Sequence, residues 1–204
     1  MGSIIDIIGA LIAGGLIIIT IILTINNVRI MDYNIQTELN LHTAALKVPE
    51  VLEVGYLESL GRLTNRSDVP ISIASPNQFQ FFGITINAAG NLEQVIYTLE
   101  SALIPNTNFF HVRVITQTTT TPPITNQTYT TQPYQFENGN IFTYFDGNNN
   151  SLGSTVIGDD LDLIRSVQVD LMFIEPAAGR TDAFMRYPIT FWRYFKNLYI
   201  RDYL

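Results

Sequence analysis

The side chains that most often do chemistry are sparse in this chain and poorly grouped. There are two histidines. His42 falls on what reads as a helical stripe and His111 in an apolar strand, so both read as structural residues and neither as a metal ligand or base. There are no cysteines, which excludes disulfides, zinc–thiolate sites and thiol catalysis. The densest acids are Gly158-Asp159-Asp160-Leu161-Asp162, just before Leu163-Ile164-Arg165. Carboxylates there suit the positive end of a short helical turn better than a paired acid and base. Asp146-x-Asn148-x-Asn150 has the opening of a calcium loop, but its sixth position is Ser151 and its twelfth Ile157. A hairpin turn is the better reading. No nucleophile elbow, phosphate loop or dinucleotide fingerprint occurs. The sequence therefore implies no catalytic residue, no metal and no cofactor, and the chain does not read as an enzyme.

Two other features invite modification or pairing. Asn65-Arg-Ser, Asn126-Gln-Thr and Asn149-Asn-Ser are glycosylation triplets. The stretch from Thr116 to Gln132 holds nine threonines, two prolines and no charge. It is expected to lie as an exposed loop or extended ribbon over 116–132, with Thr118, Thr119, Thr120, Thr121 and Asn126 as candidate sugar acceptors. Asp6 is the only charge before Arg29.

The elements that must position these residues fall into two groups. Ile7 to Ile25 is a run of 19 residues without a charge, long enough as a helix to cross the hydrocarbon core of a bilayer. A secretory signal would need a basic start and a shorter apolar run, and no Lys or Arg precedes this one. Gly9 and Ala13, and Ala10 and Gly14, are four apart, a spacing that lets membrane helices approach closely and that also occurs in ordinary anchors. After Arg29, Val28, Met31, Ile35, Leu39, His42 and Leu46, continued by Ala45, Val48, Leu52 and Tyr56, predict a helix with one buried side. Pro49 is expected to kink it and Asn65 to end it. One helix of about 60 residues would be about 90 Å long. A domain of this size cannot bury it, so half of it must find partners.

From Val69 the pattern turns to strands. Runs at 71–74, 78–84, 92–99, 109–116, 141–145, 166–174 and 185–199 alternate or are rich in β-branched and aromatic residues. Val167, Val169, Leu171 and Phe173 are expected on one buried face. The fold class is α+β: a long helix over 1–65, its 4–25 portion membrane-spanning, then an antiparallel sheet domain over 66–204. The net charge is −7, and the 11 Lys and Arg are scattered singly, which argues against a nucleic-acid partner.

This order of parts resembles type IV pilins and the pseudopilins of type II secretion, over nearly the whole chain. Asn140-Ile141-Phe142-Thr143-Tyr144-Phe145-Asp146-Gly147-Asn148 is similar to a hairpin of the larger minor pseudopilins. Asp160 to Leu171 is similar to the strand that follows it, and Phe79 to Tyr97 to the hairpin before it. The resemblance implies a subunit that waits in the inner membrane, is passed to an assembly platform, and polymerises with copies of itself into an extracellular filament. A minor subunit at the tip of a secretion machine, or a monomeric membrane-anchored binding domain, are the alternatives. The family carries a glutamate as its fifth mature residue; here the acid is Asp6, fifth if Met1 is removed. Gly14 matches a family glycine near which the helix loosens. Asp6 then has two readings, a partner for a neighbour's terminal ammonium or a cap of its own helix.

Overall fold

The computed structural model describes residues 2–61, 70–86, 90–119, 122–178 and 183–198. The chain divides into two compact units, one of Met1–Asn40 with Pro176–Met185, the other of Leu41–Glu175 with Arg186–Leu204.

One α-helix, α1, runs from Gly2 to Gly55 and includes Pro49. Its main-chain hydrogen bonds are internal, so it stands without neighbours to complete it. In the first unit almost every α1 side chain is exposed; Thr37 is the buried exception. In the second unit α1 buries Leu41, Ala44, Val48 and Leu52, which are spaced three and four apart. The row expected from sequence holds in its last part, where Val48 and Leu52 are buried and Ala45 and Tyr56 half-buried, and fails before that. Met31, Ile35, Leu39 and Leu46 are exposed, and so is His42. At 100° per residue Leu46 lies about 140° round the helix from Val48 and Leu52 on average. Both rows have helical spacing, and spacing alone cannot say which one meets a core. The helix ends at Gly55, a 3-10 turn follows at Leu57–Ser59, and the expected stop at Asn65 lies outside the described residues.

The second unit holds the antiparallel sheet. Its strands are β1 (Ile71–Ala74), β2 (Gln78–Ile86), β3 (Leu92–Leu103), β4 (Phe110–Thr118), β5 (Thr125–Tyr129), β6 (Gln135–Phe136), β7 (Phe142–Phe145), β8 (Ser151–Gly153), β9 (Ser166–Pro176) and β10 (Phe184–Tyr194). Neighbours follow β1-β2-β3-β4-β6-β9-β7-β8, with β5 on β4 and β10 on β9. The β2–β3 and β3–β4 pairs are long and unbroken, from Gln78↔Glu100 to Ile86↔Leu92 and from Val95↔Thr118 to Leu103↔Phe110.

The sheet curls back on itself. Ile141 and Phe142 donate their N–H groups to the Pro76 carbonyl at 2.7 and 3.0 Å, and Val156 donates to Ala74. The Tyr144 hydroxyl donates to the Ser75 carbonyl at 2.9 Å. Inside, Phe79 lies 5.1 to 6.0 Å, ring to ring, from Phe81, Tyr144, Phe142 and Phe195. The alternation expected in β9 is observed: Val167, Val169, Leu171 and Phe173 are all buried. Gly83 is required where it stands, because a Cβ there would lie 2.8 Å from the Tyr97 ring and collide with the Ser59 hydroxyl.

Candidate functional site: the exposed apolar helix

Ile4 to Ile25 contains 14 isoleucine and leucine residues, each exposed by 47 to 73%. Side chains of this type normally lie inside a protein, and a contiguous exposed apolar surface marks a partner or a membrane. The segment belongs to a helix long and apolar enough to cross a bilayer, so it could anchor the chain there. Its two hydroxyls, Thr20 and Thr24, donate to the carbonyls of Leu16 and Thr20, each at 2.8 Å. Neither side-chain hydroxyl of that stretch is left for lipid to satisfy, which suits hydrocarbon.

The expected assembly residues Asp6, Gly9, Ala13 and Gly14 all lie on this helix. Asp6 is exposed and sits in the first turn and a half. A Cβ placed on Gly9, Gly14 or Gly15 would meet nothing within 4 Å. The space beside these glycines is therefore open, and they are not required by packing within the chain. Small residues of that kind are sites of close helix approach in membranes.

The threonine-rich stretch is in part a ribbon. Thr118 is the last residue of β4 and is half-buried, not part of a loop, because its strand is paired to Val95 of β3. Its hydroxyl accepts the Ile124 N–H at 2.8 Å, closing the turn. Thr119 is exposed, Thr120 and Thr121 lie outside the described residues, and Asn126 is the second residue of β5, whose five residues are all exposed. Thr131 departs most from the expectation. It is fully buried, and its hydroxyl accepts the Val112 N–H at 3.0 Å. Each buried hydroxyl needs such a partner, and the sequence could not show which one had it.

The remaining candidates resolve into structure. His111 is buried, with Nδ1 2.9 Å from the Tyr134 carbonyl. His42 packs edge-on to Tyr187, centroids 4.9 Å apart, off the row assigned to it. Asp146 closes the β7–β8 hairpin: Oδ1 accepts the N–H groups of Asn148 and Asn150 at 2.9 and 2.7 Å, and Oδ2 accepts the Asn150 amide at 2.9 Å. Those bonds hold its carboxyl below the usual carboxylate range, the Asn150 side-chain amide contributing most. Asp159 and Asp160 occupy the first turn of a 3-10 segment, Gly158–Leu163, as the dipole argument expects, but no side chain caps it. Among the described residues no three His, Asp or Glu side chains are grouped to hold a metal.

No protein-family model, curated protein or solved structure matches this chain.

Proposed function

We propose that this chain is a structural subunit of a type IV pilus-like filament, inserted in the inner membrane before assembly and packed helix against helix with its own copies afterwards. The observation that carries the reading is the exposure of Ile4 to Ile25 on an unbroken helix. A bilayer would cover that segment but not the next turns of the helix. Val28, Met31 and Ile35 continue as exposed apolar residues at 52, 64 and 46%, beyond the length a hydrocarbon core needs. A monomeric anchor would leave them in water. Neighbouring helices would bury them at about 25 cal/mol for each Å². The resemblance to pilins and pseudopilins in the order of parts supports the same reading, with an assembly platform as the second partner and no catalytic role.

Asp6 supplies the register in this account. A carboxylate beginning a membrane helix is costly unless paired, and the terminal ammonium of a neighbouring subunit is a suitable counter-charge. Asp6→Ala is expected to abolish or slow fibre formation while membrane insertion and folding of the sheet continue. Removing one partner of a buried pair costs about 3–5 kcal/mol. Asp6 is the fifth residue of a helix that begins at Gly2, beyond the position that caps it. Electron microscopy of fibres sheared from cells, with membrane fractionation of both forms, reads the outcome. Normal fibre yield from the alanine variant would remove Asp6 from assembly. Absence of this chain from any fibre, with a strictly monomeric membrane form, would remove the filament reading altogether.

A further inference from the structure

The outer face of the sheet around β9 and β10 carries polar and aromatic side chains. In β9 the residues Val167, Val169, Leu171 and Phe173 point into the core, so Gln168 and Asp170 point out. In β7 Phe142 and Tyr144 are buried, which turns Phe145 to the same outer side. Phe195 donates its N–H to the Arg165 carbonyl at 2.9 Å, which aligns β10 with β9 and sets Thr190 opposite Asp170 and Trp192 opposite Gln168. The side chains agree with that register. Thr190 Oγ1 donates to Asp170 Oδ1 at 2.6 Å, and Trp192 lies against Phe145 with ring centroids 4.2 Å apart.

Two features make this a prepared surface. Trp192 is 36% exposed, and Phe145 packs against it at an interplanar angle of 45°, which holds the indole in place. An aromatic held open to water by a second ring offers a flat apolar face at low entropic cost. Beside it, the Asp170 carboxylate is fixed by three neutral contacts: Gln168 Nε2 at 2.9 and 2.8 Å from its two oxygens, and the Thr190 hydroxyl. Those donors are spent, so what the row presents outward is acceptors: the second carboxylate oxygen, the Gln168 carbonyl and the Thr190 oxygen lone pairs.

We propose that this face is a carbohydrate-binding platform, on which Trp192 stacks against the C–H face of a neutral pyranose while Asp170, Gln168 and Thr190 accept hydrogen bonds from its hydroxyls. A sugar ring matches the surface in both respects, because it has an apolar flat side and hydroxyl donors spread around its rim. A lysine ammonium, a compact point charge, would use the carboxylate and little of an acceptor row spread over two strands. The nearby cations of β10 are also committed elsewhere, Arg193 to Glu53 at 2.6 Å and Arg186 to Glu137 at 2.7 Å, and leave Asp170 to its neutral partners. The handful of residues involved is too small for a stable protein interface, which needs about 800 Å² per partner. It suits one or two sugar rings.

Trp192 is the single tryptophan of the chain, so its fluorescence reports the platform directly. The full chain, in a detergent without a sugar headgroup, is titrated with hexasaccharides of glucose, galactose, mannose and N-acetylglucosamine, and separately with an oligolysine peptide. The expected result is a saturable change with at least one neutral oligosaccharide at or below about 10 mM, the weak range for such a contact. Asp170→Ala is expected to weaken it by about tenfold or more, with Asp170→Asn, which keeps a carbonyl acceptor, in between. No response to any of the four sugars overturns the proposal. So does a response to oligolysine alone, or a sugar response that Asp170→Ala leaves unchanged while its thermal melt matches the parent. None of these outcomes depends on whether the helix assembles into fibres.

Discussion

Leu52 and Met31 stand on the same helix, and their surroundings could hardly differ more. Leu52, in the unit that holds the sheet, is 1% exposed, and Met31, in the other unit, is 64% exposed. The contrast is general: the sheet buries Phe79, Phe81, Tyr144 and Phe173 almost completely, while Ile4 to Ile25 shows its apolar side chains on every side. Identical residue types with opposite exposure indicate two different solvents. One region completes its own core. The other leaves its apolar side chains uncovered among the described residues, so apolar burial there would be association energy and not folding energy.

Truncation of the two residues should separate those roles. Leu52→Ala removes buried methyl groups and leaves a cavity, so it is expected to cost about 2–5 kcal/mol of domain stability in a chemical denaturation experiment. Met31→Ala should change that stability by no more than about 0.5 kcal/mol and should instead lower fibre yield. If Met31→Ala destabilises the monomer as Leu52→Ala does, the contrast between the two regions fails.

Much of the sheet region was legible in the sequence because alternation is a strong local signal. The buried row of β9 and the Asp146 turn follow from spacing and turn chemistry alone. The short strands β5, β6 and β8 were not legible: β5 is polar and fully exposed, β8 is three residues long, and β6 is defined by partners far along the chain, Phe136 by Phe110 and Phe173. On α1 Val48 and Leu52 were legible, but the row leading to them was misread because spacing alone does not choose a face. Leu41, Ala44, Val48 and Leu52 are no more apolar than the row of Met31, Ile35, Leu39 and Leu46, and only tertiary contact selects between them. The apolar span and its acid were evident from composition. The Trp192 platform was not, because Phe145, Asp170 and Trp192 meet only after the sheet has formed.

The interior of the sheet can be tested by pH. Burial pushes the Tyr144 phenol well above its ordinary value of 10.0, and its hydrogen bond to Ser75 opposes this only in part. A group whose folded pKa is raised contributes stability in full below the unfolded value and loses it as pH climbs past that value. Above pH 10.0 the unfolded chain should therefore ionise first, and stability should fall by up to about 1.4 kcal/mol per pH unit from this group. Tyr144→Phe is expected to flatten the alkaline limb, at a cost near neutrality of about 1 kcal/mol for the lost hydroxyl bond. An alkaline limb identical in both proteins would place the titrating group elsewhere.

The smallest effect expected is at Ser166. Its hydroxyl is fully buried with no hydrogen-bond partner among the described residues, on the strand position opposite Phe145. An unpaired buried hydroxyl costs about 1–3 kcal/mol, so Ser166→Ala should leave stability unchanged or raise it by about 1 kcal/mol. A clear loss of stability would mean that the hydroxyl has a partner after all.

A filament requires that the apolar helices of different copies touch, and that contact can be measured directly. The chain has no cysteine, so any thiol introduced is the only one present. Ile8→Cys combined with Ala13→Cys places two thiols on different faces of α1, about 140° apart. Oxidation of intact fibres or membranes, followed by non-reducing electrophoresis, should then give a ladder of dimers, trimers and higher species that collapses on reduction. A single monomer band under the same oxidation, from protein correctly inserted in the membrane, would contradict the filament and leave the helix as a solitary anchor.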